Sequence, residues 1–373
     1  MDISFSGGKF VSGDGELNYQ EVLDDFSKAK VIRIITYNIS KQRRLNDLLD
    51  QLKYSDADIQ FITNVPSRMK TYYNSPRGNY MRSTAHENIN IYISRLNPSL
   101  FSKTFTPYFN VNNHAKIVGT ENVVYIGSAN YSSESAQNIE AGVIIRDKNF
   151  IQQLYSEFFE SVKSSSLSYF DPNFSAFHLF IVSLLAKFQH HYKRMLQDLF
   201  TDYERTKLDV ADTVFIDKDE LDVLYLDLEE LESLDIEADN TYDEDNEQYN
   251  TELECLKRQF EAVDISWLKE TISYGGTLYN LVTYDVQSAA NTILQEQYSA
   301  VAFDENLDFY ADKSIQQAAE TYSDLRYQFS DDADCFIDQF NKILNALDSV
   351  NQFACRWKPY KINSEVDNTM ETS

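Results

Sequence analysis

Apolar positions follow two periods in the first 165 residues and mostly one in the rest. Lys30 to Tyr37 (K-V-I-R-I-I-T-Y), Asp58 to Thr63 and Ala141 to Arg146 are short apolar runs that predict buried strands. Leu45, Leu48, Leu49 and Leu52 recur at helical steps and predict an amphipathic helix over Lys41 to Lys53. Asn18 is placed to cap a helix over Tyr19 to Ala29, with Val22, Leu23 and Phe26 on one face. Lys148 to Lys163 repeats the helical pattern through Phe150, Leu154, Phe158 and Val162. Asn88 to Ser94 reads as a further strand, with Arg95 to Pro107 as a connector and Met1 to Leu17 as a loop or hairpin. Strands alternating with helices point to an α/β sheet.

Ser164 to Ser168 and Asp171-Pro172 mark a domain boundary, dividing the chain into residues 1–165 and 166–373. Phe174, Phe177, Ile181, Leu184, Phe188, Tyr192, Met195 and Leu199 then recur at three- and four-residue steps over one long helix. Leu179, Phe180, Val182 and Leu185 give it a second apolar face, so a core or oligomer role is expected. His178 and Lys187 interrupt the run before it reaches the length of a membrane span. Asp217 to Glu247 is densely acidic, helix-like at first and linker-like over Asp239 to Asn250. Cys255 to Ile272, Ser288 to Tyr298 and Ser314 to Trp357 read as helices. Tyr274 to Val286 suggests a Gly275-Gly276 turn with one short strand, and Ile362 to Ser373 a frayed end. The second part is therefore expected to be mainly helical.

Charge separates the two parts further. Residues 1–165 hold 18 Lys and Arg against 17 Asp and Glu, and residues 166–373 hold 15 against 42, within a net charge of −26. A polyanion would be repelled by the second part, which suits a basic partner, a regulatory role or a face turned away from substrate. Cys255, Cys335 and Cys355 are far apart, so neither a disulfide framework nor a zinc site is implied. With no basic-then-apolar leader at Met1, a cytoplasmic location is expected. Pro66 to His86 interleaves Arg68, Lys70, Arg77 and Arg82 with Tyr72, Tyr73 and Tyr80, a composition able to grip a nucleic-acid strand. The glycines near the N-terminus lack phosphate-loop spacing, and the acidic stretch lacks the calcium-loop pattern.

The chemistry concentrates in Val111 to Asn130 (V-N-N-H-A-K-I-V-G-T-E-N-V-V-Y-I-G-S-A-N). Val111 to Val118 and Val123 to Ile126 predict two short strands, with Gly119 and Thr120 breaking the run between them. His114 and Lys116 share one face at a spacing of two, and Ser128 and Asn130 repeat that spacing. An imidazole, an ammonium, a hydroxyl and an amide suit a phosphate group.

His114-x-Lys116, four residues, Glu121, five residues, then Gly127-Ser128-x-Asn130 resembles the H-x-K…G-S-x-N signature of the phospholipase D superfamily. Glu140 stands where those proteins place a glutamate that orients the histidine. Glu121 departs from the family's usual Asp. The resemblance implies an α/β phospholipase D-like domain, a mixed sheet flanked by helices, followed here by a mostly helical acidic domain. It also implies metal-independent phosphodiester hydrolysis through a covalent phosphohistidine, with no cofactor and no metal. The catalytic set would be His114, Lys116, Ser128, Asn130 and Glu140.

Family members need two such motifs per active site. A second H-x-K, His191-Tyr192-Lys193, lies within the long helical pattern, where residues two apart diverge around the axis. With one motif, a homodimer through the phospholipase D-like domain is expected. The substrate expected first is DNA or RNA. A role in host defence, beside a protein partner such as an ATPase docking on the acidic half, rests on analogy. The alternatives are a lipid phosphodiesterase touching the bilayer through Phe177 or Phe180, without stable membrane insertion, and a silent dimeric scaffold for a basic partner.

Overall fold

The computed structural model describes residues 2–5, 7–14, 16–40, 47–65, 85–101, 104–170, 175–201, 209–239, 246–300 and 305–357. Arg68, Lys70, Arg77 and Arg82, the start of the expected Lys41–Lys53 helix and the end expected to fray, Ile362 to Ser373, lie outside them. The chain divides into two compact units, Met1–Ser183 and Leu184–Ser373.

The first unit is built on a mixed sheet. Its strands are β1 (Asp2–Phe5), β2 (Gly8–Asp14), β3 (Val31–Thr36), β4 (Asp58–Thr63), β5 (Phe105–Phe109), β6 (Ile117–Thr120), β7 (Val124–Gly127), β8 (Ile139–Ile145) and β9 (Leu167–Ser168). Among the described residues they lie in the order β1-β2-β8-β7-β6-β3-β4-β5-β9. β3, β4 and β5 are parallel, and the other pairings are antiparallel. Because β9 pairs with β5, the chain just beyond Ser165 still belongs to this sheet.

β3 and β4 are interior strands with three consecutive buried residues at their carboxyl ends, which explains the apolar runs there. Ile35, Ile62, Ile117 and Val124 face Ile151 and Phe159 on one side. Those two residues come from a helical run of α4 (Lys148–Gln153), a π-helical turn (Leu154–Phe159) and α5 (Glu160–Ser164). Ile34, Phe61, Val118 and Tyr125 alternate to the other face, where Tyr19, Phe61, Phe105, Tyr125 and Tyr131 form a chain of ring contacts. The short helices α1 (Gln20–Leu23) and α2 (Leu48–Lys53) follow β2 and precede β4. The expected helix over Tyr19–Ala29 is α-helical only through Leu23 and continues as turns, with Tyr19 rather than Asn18 at its cap.

Two expectations are corrected. Asn88 to Ser94 is not a strand but part of α3 (Ala85–Arg95). Its alternation of Asn and Ile mimics a period of two, yet the buried residues are Asn88, Ile89, Tyr92 and Leu96, a helical face. Conversely, the end of the predicted Arg95–Pro107 connector is the start of β5, whose Phe105, Pro107 and Phe109 alternate inward.

The second unit is helical among its described residues. The long helix α6 (Ala176–Leu199) carries the division between the units; Phe177, Ile181, Leu184, Phe188, Met195 and Leu199 of one face are buried, as are Leu179 and Phe180 of the other, while Val182 and Leu185 are half-buried. Then follow α7 (Lys218–Glu232), α8 (Ile236–Asp239), α9 (Glu247–Glu261), α10 (Ile265–Ile272), α11 (Thr277–Thr283), α12 (Val286–Ile293) and α13 (Leu307–Arg356). The acidic start of α7 is explained by a capping box in which Asp217 and Glu220 satisfy each other's backbone N–H groups. The Gly275-Gly276 turn is present, with Gly275 at φ +90°, but it leads into α11 rather than a strand.

Candidate active site

The site forms where β3, β4, β5 and β7 end and β6 and β8 begin. Parallel strands leave a crevice at their carboxyl ends, and the hairpin turns four matched residues toward it. His114 and Lys116 precede β6 in an extended segment; the strand begins only at Ile117. Asn110 delays it by making a turn, accepting from Asn112 N–H through its side chain (3.0 Å) and from Asn113 N–H through its carbonyl (3.1 Å). Gly119 and Thr120, expected to break the hairpin, belong to β6, and the turn falls on Glu121 and Asn122.

Buried asparagines hold the segment. Asn64 Nδ2 donates to the carbonyls of Val111 (2.9 Å) and Asn113 (3.0 Å). Asn113 Nδ2 donates to Thr36 O (2.9 Å), while its Oδ1 accepts from Ala115 N–H (3.0 Å). His114 is exposed, but Lys116 is only 9% exposed. Lys116 Nζ donates to His114 O at 2.6 Å and lies 3.3 Å from His114 Nδ1. An ammonium only donates, so Nδ1 is the acceptor at this contact. Burial holds the Lys116 ammonium below its ordinary value, and the Glu140 carboxylate opposes the shift.

Ser128 follows β7 and Glu140 lies in β8. Ser128 Oγ donates to Glu140 Oε2 and accepts from Ala141 N–H at 3.0 Å. Glu140, expected to orient His114, thus holds Ser128 and acts electrostatically on Lys116. Gly127 permits the approach: a Cβ there would lie 2.2 Å from the Tyr125 hydroxyl and 2.5 Å from Ala141 O. Asn130 Oδ1 accepts from the N–H groups of Tyr37 (3.1 Å) and Asn38 (3.4 Å). Backbone N–H groups require an oxygen, so they fix the amide with Nδ2 as the donor for a ligand. Its own backbone is held by Ser135 Oγ and the Tyr19 hydroxyl, each at 2.9 Å.

Sequence reading missed Tyr37, whose ring centroid is 4.9 Å from that of His114 and 5.3 Å from Lys116 Nζ. It also missed Asn64 and Asn113. The residue at the family's Asp position is explained. Glu121 is at the far end of the hairpin, where its carboxylate accepts from Lys30 N–H (3.0 Å) and Val31 N–H (3.1 Å). Seven residues of extended chain separate it from His114, about 20 Å. Glu121 therefore secures the start of β3. We expect Glu121→Gln to cost about 1 kcal/mol of stability with unchanged turnover, measured by thermal melting and phosphodiester cleavage. Lost turnover at full stability would oppose this placement.

The second H-x-K is a helix feature. His191 is buried and Lys193 exposed on α6, with His191 Nε2 2.8 Å from Asp227 Oδ2.

Residues 22–162 match the family described as cardiolipin synthase, PLD-like domain. This region is a phospholipase D-like domain. Among solved structures, the chain is similar to the phospholipase D family member Nuc from Salmonella typhimurium at 16% identity and TM-score 0.31, covering 43% of this chain and 97% of that one. It is similar to NucT from Helicobacter pylori at 15% identity and TM-score 0.29, covering 43% and 99%. It is also similar to a phosphatidylserine synthase of Haemophilus influenzae at 16% identity and TM-score 0.31, covering 43% and 39%. No curated protein matches the chain. The matched region contains His114, Lys116, Ser128, Asn130 and Glu140, so the phospholipase D-like domain carries the whole candidate site.

Proposed function

We propose that the protein is a metal-independent nuclease acting on DNA or RNA as a homodimer. The observation that carries the reading is that Tyr37 and Glu140 link His114, Lys116, Ser128 and Asn130 into one cluster, with His114 the one histidine in it among the described residues. Two-step phosphodiester hydrolysis needs a nucleophile and a proton donor for the leaving oxygen. A second copy facing the first supplies the missing imidazole. One His114 attacks phosphorus, forming an N–P bond, while the partner's His114 protonates the leaving oxygen as its P–O bond breaks. That second histidine then takes a proton from water, which attacks phosphorus and releases the first. Lys116 and the Asn130 amide stabilise the non-bridging oxygens, with Ser128 as a further donor held by Glu140.

The neutral charge balance of residues 1–165 and the basic-aromatic stretch at 66–86 favour a nucleic acid in this half. The lipid alternative relied on Phe177 and Phe180, yet each is only 2% exposed. No helix among the described residues is long and apolar enough to cross a membrane. The acidic second half favours a basic protein partner.

The test is to mix the protein with plasmid DNA, RNA or phospholipid vesicles in EDTA, quench with denaturant, and map adducts by mass spectrometry. A nucleic-acid strand attached to His114 through phosphorus is expected. A phosphatidyl adduct would assign a lipid substrate, and cleavage that needs added Mg²⁺ would overturn the mechanism.

A further inference from the structure

One residue outside the sequence motif touches three residues within it. Tyr37 directly follows β3, and its backbone N–H donates to Asn130 Oδ1 at 3.1 Å. Its half-buried ring lies against His114 at 4.9 Å between centroids, with an interplanar angle of 56°. The same ring stands 5.3 Å from Lys116 Nζ, which is itself 3.3 Å from His114 Nδ1. His114 is exposed and enters from a segment that is not in a strand, so its backbone alone leaves the imidazole several rotamers. A flat wall on one side and an ammonium at one ring nitrogen restrict that choice. The ring's π face also attracts the ammonium, keeping Lys116 charged in a place where burial opposes its charge.

We propose that Tyr37 is a positioning residue of the active site, its aromatic ring being the shared wall that sets the imidazole of His114 and the ammonium of Lys116 in place. The contacts to His114 and Lys116 are made by the ring, so phenylalanine should preserve them. A side chain without a ring should let both groups drift. A misplacement of about 1 Å in a nucleophile costs up to about 10²-fold in rate. The loss falls on turnover rather than on substrate affinity, because the reacting geometry changes while the other phosphate donors remain.

The kinetic arm of the test rests on the phosphodiesterase reading; the spectroscopic arm does not. In the full-length protein, the imidazole resonances of the five histidines are followed by NMR against pH, with His114 assigned by its loss in His114→Ala. Among the described residues, Lys116 and Glu140 of β8 are the charged groups placed here, with Tyr37 after the end of β3. Tyr37→Phe should keep the wild-type His114 midpoint, kcat and KM. Tyr37→Leu should displace that midpoint, move the acid limb of the kcat profile with it and lower kcat about 10²-fold at similar KM. A merely structural role would lower the melting temperature without moving the midpoint. Should Tyr37→Leu not fold, Tyr37→Met makes the same comparison. A wild-type midpoint in the folded Leu or Met variant, or a Phe variant as impaired as Leu, overturns the proposal. If wild type cleaves no phosphodiester, the functional reading fails, and the His114 titrations still decide the role of Tyr37.

Discussion

An equimolar, randomly exchanged mixture of wild-type and His114→Ala chains should retain about one quarter of the activity of the same total amount of wild type. Random pairing makes one quarter of the dimers fully wild type, one half mixed and one quarter doubly substituted. In the proposed mechanism each dimer closes one site over two imidazoles. A mixed dimer then has either a nucleophile without a proton donor or a donor without a nucleophile. The pure variant should lose about 10⁴-fold or more, since removing one member of a catalytic set that acts as a unit costs nearly as much as removing all. Retention of about one half would mean that each chain works alone. Substantial activity in pure His114→Ala would remove His114 from the chemistry. Light scattering supplies the companion measurement: a monomer at micromolar concentration would contradict the shared site.

The quarter-activity result depends on residues that could be found in sequence because their spacing is strict. His114, Lys116, Ser128 and Asn130 flank two strands of four residues, and the strand period fixes which side chains emerge together. β3 and β4 were also legible, because Ile32, Ile34 and Ile35 and Ile59, Phe61 and Ile62 are buried and form short apolar runs. Tyr37 was not legible as a site residue. It directly follows a strand, 77 positions before His114, and the antiparallel pairing of β3 with β6 brings the two together. Asn64 and Asn113 were hidden for a related reason: their value lies in which carbonyls they bind. The Asn88–Ser94 error has another cause. A run of Ile and Asn satisfies both periods over seven residues, and tertiary burial selected the helical one. β5 was obscured by Pro107, which weakens any strand reading even though its side chain points inward.

The rejected His191-x-Lys193 motif leads to the largest expected loss of stability. α6 and α7 enclose a charged cluster: Lys187 Nζ donates to Asp227 Oδ1 at 2.9 Å and to Glu230, and Asp227 Oδ2 accepts from His191 Nε2. All four side chains are nearly buried. Burial alone would lower the Lys187 pKa, but the charges of Asp227 and Glu230 reverse this and raise it. Burial would raise that of Asp227, but the His191 hydrogen bond and the Lys187 charge carry it below the usual carboxylate range.

A raised lysine contributes stability in full below its unfolded pKa and loses it as pH rises through the folded value. A depressed carboxylate contributes above its unfolded pKa and loses it as pH falls through the folded value. Lys187 and Asp227 should therefore contribute in full between about pH 4 and pH 10. Lys187→Met leaves Asp227 and Glu230 buried beside each other without their shared cation. A loss of roughly 3–5 kcal/mol is expected, seen as a fall in melting temperature on the order of 10 °C. The sign of the pH dependence then reverses for the variant. With the cation gone, burial pushes Asp227 up against the pull of its His191 hydrogen bond, so the penalty is present at neutral pH and shrinks on acidification. Lys187→Met combined with Glu230→Gln should recover much of the loss, because one buried negative charge then remains beside His191. A melting temperature unchanged from wild type in Lys187→Met, or a penalty that grows on acidification, would show that these buried charges do not hold α6 to α7.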